Sequence, residues 1–340
     1  MLVTIAATVF VFSIIVFVHE LGHFMTAKAT GMQVDEFAIG FGPKIYSYQY
    51  GPTLYSLRAI PLGGFNRISG MSEEEELTET SFLSKGVSSR LFVIAAGAAM
   101  NFILAIFIIW GLMFTIGTKD VSTEPIVGSV MADSAASTAR IQKGDRIVAI
   151  SGIPVEKWND ISAAVAQHSQ EVLTVTVQRN NENINLTMIP KLEAQTQRPI
   201  IGVVPVIITQ NHGFFESAVL SVERTGQICK MMIVGLYHMA AGTEKADIAG
   251  PIGVAQLAGQ VASLGFVNLL MFTAFLSINL GIINLLPIPM LDGGYIILLI
   301  LEGITRRRLP AKALYYVQMV GMCILAAVFI LAMMQDISRF

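Results

Sequence analysis

The chain has 340 residues, of which 54% are hydrophobic and 14% charged, with a formal net charge of -2. Soluble domains carry about 25% charged residues, so this composition excludes an ordinary soluble globular protein, and the near-neutral balance provides no basic field for nucleic acid. Two cysteines, Cys229 and Cys323, are too few and too far apart for a disulfide framework or a cysteine-rich zinc site, and both read as packing residues.

The charge that is present avoids four windows. No Asp, Glu, Lys or Arg precedes Glu20, and none lies between Arg90 and Lys119, between Asp247 and Asp292, or between Lys312 and Asp336. Each window can cross a hydrocarbon core of about 30 Å, which takes roughly 20 residues of helix. The pattern predicts a polytopic α-helical membrane protein with four transmembrane helices. The first covers residues 1–30, apolar from Leu2 to Val18 and helical through His19 and His23, with Gly31 to end it. It lacks the basic leader and small-residue cleavage site of a signal peptide and reads as mature sequence.

Residues 31–90 form a region on one side of the membrane. Within it, alternating stretches such as Ile45 to Tyr50 and Leu54 to Leu57 predict short antiparallel strands, separated by turns at Gly42-Pro43, Gly51-Pro52 and Gly63-Gly64. Glu73 to Glu76 reads as a solvated acidic loop. The second span covers 91–118. Residues 119–208 regain ordinary charge and predict a β-rich domain, with strands near Val127–Met131, Arg146–Ile150, Leu173–Gln178 and Ile184–Ile189 and a helix at Trp158–Gln167. Residues 209–262 predict amphipathic, interfacial helices. The third span covers 263–302 and is broken by Pro287 and Pro289 before Asp292; a basic loop (Arg306, Arg307, Arg308, Lys312) occupies 303–312, and the fourth span covers 313–335. The positive-inside rule puts the basic loop in the cytoplasm, so both termini and the 119–208 domain lie outside and the 31–90 region inside.

The chemistry is concentrated in His19-Glu20-Leu21-Gly22-His23. Histidines at i and i+4 share one helix face and can reach one metal ion, with the glutamate beside the first able to take a proton from water. The pattern is expected about 0.003 times by chance in a chain of this composition. At membrane depth, unpartnered ionisable groups are costly, so a shared zinc ion is the economical reading. Asp292, the only acidic group between Asp247 and Glu302, is the candidate third ligand; a plain helix-end aspartate is the alternative. A zinc transporter built on the same ligands would want further acidic or histidine groups in spans two and four, and neither span has one. A membrane adaptor with a merely structural site would not need Glu20.

Taken together, His19 to His23, Leu291-Asp292-Gly293, Gly40-Phe41-Gly42-Pro43, Ile60 to Phe65, Gly97 to Asn101, Gly250-Pro251-Ile252 and Asn284 to Gly294 resemble, in order, the site-2 protease family of intramembrane zinc metalloproteases, in particular its bacterial regulator of sigma-E protease branch. The resemblance implies Zn2+ at His19, His23 and Asp292 with Glu20 as general base, a small membrane-associated β-sheet in residues 31–68, and one inserted extracytoplasmic PDZ domain in residues 119–208, where Gly144 to Gly152 matches the PDZ turn-strand signature. It also implies contacts to substrate or its developing oxyanion from Asn101, although a span asparagine can equally bridge helices. Asn284, Pro287, Pro289, Gly63 and Gly64 join Asn101 as substrate-binding candidates.

The activity implied is hydrolysis of peptide bonds within transmembrane segments, in a bacterial plasma (inner) membrane with the active site near the cytoplasmic side. Its partners would be the lipid bilayer and transmembrane substrates already cut once outside, such as anti-sigma-factor fragments or remnant signal peptides. An exposed strand edge in residues 34–68 is suited to hold an unwound substrate, or the hairpin merely braces the spans. The PDZ domain would bind peptide termini or act as a size filter.

Overall fold

A computed structural model describes residues 1–71, 77–168, 171–192, 198–243, 249–308 and 310–338; the acidic run Glu73–Glu76 lies outside them. The chain divides into two compact units, Met1–Met113 with Gly213–Phe340, and Phe114–His212.

The helical unit begins with α1 (Leu2–Ala29), whose buried residues Ala7, Val11, Ile15, His19, Gly22, His23 and Ala27 recur at three- and four-residue steps. The histidines therefore continue the apolar packing stripe of the helix rather than interrupting its outer face. Next come β1 (Val34–Tyr50) and β2 (Thr53–Ile68), then α2 (Val87–Ile116). The two long strands behave as four short ones. Residues 36–39 pair with 54–57 on one side and with 64–67 on the other, while 44–50 pair with 53–58. The order across the sheet is thus 44–50, 53–58, 36–39, 64–68. Gly42 and Gly63, with φ of +83° and +124°, mark bends where the chain changes partner without ending its strand. Segments 44–50 and 64–68 are the edges.

The second unit contains β3 (Thr118–Val121), β4 (Val127–Val130), α3 (Ala135–Thr138), β5 (Arg146–Ile150), β6 (Ile153–Pro154), α4 (Trp158–Ala166), β7 (Leu173–Arg179), β8 (Glu182–Met188), β9 (Lys191–Leu192), β10 (Pro199–Ile200), β11 (Val203–Pro205) and β12 (Ile207–Gln210). Its main sheet has the order β6-β5-β7-β8. On β7, Leu173, Val175 and Val177 are fully buried, the period of two that a half-buried strand requires. They pack with Ile147 and Ile150 of β5 and Ile161 and Val165 of α4. The β7–β8 hairpin turns through Asn180 and Asn181, both at positive φ, which matches a two-residue turn that follows the twist of its strands.

The chain returns to the helical unit with α5 (Phe214–Ala240), α6 (Pro251–Ser263), α7 (Phe266–Leu285), α8 (Asp292–Thr305) and α9 (Ala311–Ser338). Among the described residues, α1, α2, α7 and α9 are long and apolar enough to cross a membrane. The stretch expected to be the third span resolves into α7 and the shorter α8, joined by 286–291. Here Pro287 and Pro289 remove backbone donors and Met290 adopts φ +79°. The helix α5, in the stretch predicted to be amphipathic, packs one of its faces. Ser217, Ser221 and Thr225 are buried, and Ile228, Cys229, Met232 and Leu236 meet Ala105 and Ile109 of α2 and Ala274, Ile278 and Ile282 of α7.

Two further apolar clusters bracket the histidines. On one side, Ala7, Val11 and Ile15 of α1 pack with Ala258 of α6 and Leu269 of α7. On the other, Ala27, Met32, Val34, Ile68, Val93 and Leu299 form a cluster joining α1, the sheet, α2 and α8. At the start of α2, the fully buried Arg90 donates to both carboxylate oxygens of Glu302 on α8, at 3.0 and 2.6 Å. A bidentate pair of this kind fixes direction as well as distance, and so orients the helix whose other end carries Asp292.

Candidate metal centre

Three donor atoms converge from two ends of the chain. His19 Nε2 and His23 Nε2 are 3.2 Å apart. Asp292 Oδ2 lies 3.4 Å from the first and 3.6 Å from the second. The histidines are each 8% exposed. Asp292 sits in the first turn of α8, immediately after the broken 286–291 segment, so the interruption of the helix is what turns its carboxylate toward α1.

Each imidazole is steered by its second nitrogen. His23 Nδ1 donates to the Val93 carbonyl of α2 at 2.8 Å, which leaves Nε2 with its lone pair facing the other donors. His19 Nδ1 lies 3.3 Å from the Asn101 carboxamide, whose Oδ1 is buried and has no donor among the described residues. With the amide turned so that Oδ1 accepts Nδ1–H, that oxygen is satisfied and His19 Nε2 also presents a lone pair. Helix α2 can approach this closely because residue 97 is glycine. A Cβ at Gly97 would overlap His23 Nε2 and stand 2.7 Å from His19 Cε1.

This donor set fits a zinc ion. Two ligands each about 2.0–2.1 Å from a tetrahedral ion stand roughly 3.3 Å apart, the spacing found among these three atoms. Asp292 Oδ2 is buried and has no hydrogen-bond partner among the described residues, an acceptor left for a cation. Among the described residues, His19, His23 and Asp292 are the one group of metal-ligating side chains gathered this closely.

The remaining candidates are dispersed around the triad. Glu20, on the next position of α1, accepts from Asn66 Nδ2 at 2.8 Å. Asn101 is fully buried and its backbone carbonyl accepts from Ser277 of α7 at 2.8 Å. Asn284, near the end of α7, reaches within 3.4 Å of His19 Nε2. Gly64 lies where a Cβ would be 3.5 Å from Glu20 Cγ, whereas Gly63 packs against the Phe41 ring. Pro289 lies against Gly321 of α9, and Pro287 is exposed. Sequence reasoning missed Asn66 and the Val93 carbonyl. A lone strand asparagine and a backbone oxygen carry no periodic or motif signal.

The model of Peptidase family M50 matches residues 7–328. The regulator of sigma-W protease RasP of Bacillus subtilis is 30% identical over 417 residues, covering 99% of this chain and 98% of that protein. The zinc metalloprotease RasP of Bacillus licheniformis is 29% identical over 419 residues, covering 99% of each. Among solved structures, the PDZ domain of an SdrC-like protein from Listeria monocytogenes matches 26% of this chain and 94% of its own, at 18% identity and a TM-score of 0.23. With a family model matched over most of its length and relatives aligned from end to end, this chain belongs to peptidase family M50.

Proposed function

We propose that this protein is a zinc-dependent intramembrane endopeptidase that hydrolyses peptide bonds within transmembrane segments of single-span proteins already trimmed on their outer side. Its family makes it a metalloprotease, and the zinc metalloproteases among its relatives supply the identity of the ion. The observation that carries the finer reading is the convergence of His19, His23 and Asp292 in the interior of a unit built from helices apolar enough to span a bilayer. Ionisable groups at such depth are functional candidates by default.

In this reading His19, His23 and Asp292 hold the zinc. When bound, the ion supplies Lewis acidity to a water molecule and to the scissile carbonyl. Glu20 takes the proton from the attacking water and delivers it to the leaving amine. Asn284, half-buried beside His19, is suited to bond the substrate carbonyl; Asn101, fully buried, is better suited to orient the imidazole. A helical substrate hides its carbonyls in its own hydrogen bonds and must be unwound first. The 64–68 edge, which adjoins Glu20 through Gly64 and Asn66, is suited to take the unwound segment as an added strand, with Gly63 and Gly64 keeping side chains out of its way. Pro287 and Pro289 keep 286–291 out of helix, so that Asp292 can turn inward and backbone groups remain for binding.

The basic loop Arg306 to Lys312 supports a bacterial inner-membrane topology with the site near the cytoplasmic side, both termini outside, and the Phe114–His212 unit outside as a PDZ domain. There it would meet trimmed substrates, by binding their termini or by excluding bulky ectodomains. The sigma-W regulator among its relatives makes an anti-sigma-factor fragment the first substrate to try, with remnant signal peptides second. The test is cleavage of a pre-trimmed single-span substrate by purified wild type and Glu20→Gln, each assayed for zinc. The variant is expected to keep its zinc and lose at least about 100-fold in rate. Cleavage by Glu20→Gln at the wild-type rate would remove Glu20 as the base; zinc-loaded wild type that cuts no trimmed substrate would remove the protease reading.

A further inference from the structure

One amide on the sheet spends both of its N–H bonds on one residue of α1. Asn66 Nδ2 donates to the Glu20 carboxylate at Oε2 over 2.8 Å and to the Glu20 backbone carbonyl over 2.6 Å. The backbone N–H of Asn66 is also directed at that carboxylate, so both the strand and the side chain of residue 66 address Glu20. The Asn66 Oδ1 atom is buried and has no donor among the described residues, so the side chain is arranged for what it gives rather than what it receives.

Its surroundings call for no polar residue. Positions 64, 66 and 68 share one face of the strand. A Cβ at Gly64 would stand in ordinary contact with Glu20 Cγ, at 3.5 Å, so this edge runs beside Glu20, and Ile68 is buried in the apolar cluster with Ala27 of the same helix. An apolar side chain at 66 would continue that cluster, and strand pairing of residue 66 with Phe37 needs only backbone. What distinguishes an asparagine there is the pair of bonds to Glu20.

We infer that Asn66 is a positioning residue for the general base. This rests on the reading of Glu20 as that base. A glutamate side chain has three rotatable bonds, and on α1 it must hold one carboxylate oxygen toward the attacking water in every turnover. Asn66 fixes Oε2 from the sheet side and leaves Oε1 for the proton. It also ties the carbonyl of the same residue, so the carboxylate and the helix backbone beneath it are referenced to one point. The edge strand suited to hold the substrate and the group suited to activate water are thereby registered to each other through a single side chain. Misplacement of a reacting group by about 1 Å can cost on the order of 100-fold in rate.

The test uses the full-length enzyme in detergent with a pre-trimmed single-span substrate and reads kcat, KM, zinc content and melting temperature. Asn66→Leu keeps the volume and removes both side-chain donors. It is expected to lower kcat by about 10- to 100-fold with KM, zinc content and melting temperature unchanged. Asn66→Gln, which carries the same NH2 group on a longer stem, is expected to recover several-fold of that loss. A kcat for Asn66→Leu within about twofold of wild type overturns the proposal, because a pinned base cannot be released at so small a cost. Equal losses in both variants, together with a lowered melting temperature, also overturn it and assign Asn66 to holding the sheet against α1. If Asn66→Leu fails to fold, Asn66→Asp decides, since it has the same size but brings an acceptor to Glu20; wild-type kcat in that variant overturns the proposal. Glu20→Gln, run alongside, separates the two readings. Wild-type activity there removes the base itself, whereas an inactive Glu20→Gln beside an unimpaired Asn66→Leu removes only the role of Asn66.

Discussion

In the Phe114–His212 unit, Leu173, Val175 and Val177 are fully buried while Lys143, Arg146 and Lys191 are exposed. The helical unit buries apolar residues too, but it also buries a cluster of polar and charged groups and leaves large apolar side chains outside. His19, His23, Arg90 and Asn101 are buried, while Ile103 and Phe107 of α2 and Val320, Phe329 and Ile330 of α9 are exposed. Water expels apolar side chains from the surface of the first unit, and that expulsion is its main source of stability. Hydrocarbon gives no such drive to the second, which relies instead on close contact at small residues and on internal polar bonds. The difference teaches where chemistry can be kept. A unit that places its polar groups inside already has the desolvated, pre-oriented cluster that hydrolysis in a membrane requires.

Substitutions can break or sharpen this contrast, and the largest effect is expected where a small residue admits the polar cluster. Gly97→Leu would drive a side chain into both imidazoles. Zinc content is expected to fall well below one per chain and cleavage by more than about 100-fold, with helix content by circular dichroism unchanged. A variant that stays zinc-loaded and active would show that α2 does not confine the histidines.

In the β-rich unit the vulnerable residues are the large apolar ones. Leu173→Ala is expected to cost about 2–5 kcal/mol, seen as a lower unfolding transition of that unit. The matching truncation on the outer face of α2, Ile103→Ala, is expected to stay within about 0.5 kcal/mol. Similar costs for the two would mean that α2 is covered by protein at Ile103.

The smallest effect concerns the charged pair in the β-rich unit. Burial works against the charge of Asp145, but bonds from Arg179 at 2.7 Å and from the Gln142 amide at 2.8 Å, with the Arg179 charge, outweigh it. The carboxyl is therefore held below its ordinary range. A carboxyl whose folded pKa lies below the unfolded one adds stability above the unfolded value of about 3.9 and loses it as pH falls through the folded one. Unfolding of this unit is expected to become easier below about pH 4, with a flatter acid dependence in Arg179→Met. An unchanged acid profile in that variant would remove Asp145 as its source.

Much of this was legible without coordinates. The strands near Leu173–Gln178 and Ile184–Ile189 are local, as is the four-residue step from His19 to His23. Charge scarcity singled out Asp292, because an acid in an otherwise uncharged stretch needs a partner. The sheet was readable as short strands with turns at Gly42, Gly51 and Gly63, yet their order was not. Nothing in the sequence says that 36–39 lies between 54–57 and 64–67.

By itself, then, the sequence determined what short-range chemistry controls: which stretches are helical and apolar, which side chains can ligate a metal, and where the backbone must break. Only the tertiary structure decided which of these meet. Asp292 comes within 3.4 Å of His19 from 273 positions away in the chain because α8 is anchored to α2 and starts at the break. Asn66 reaches Glu20 because the 64–68 segment forms the edge beside α1. Distances across a fold depend on how whole elements pack, and no local pattern of residues encodes them.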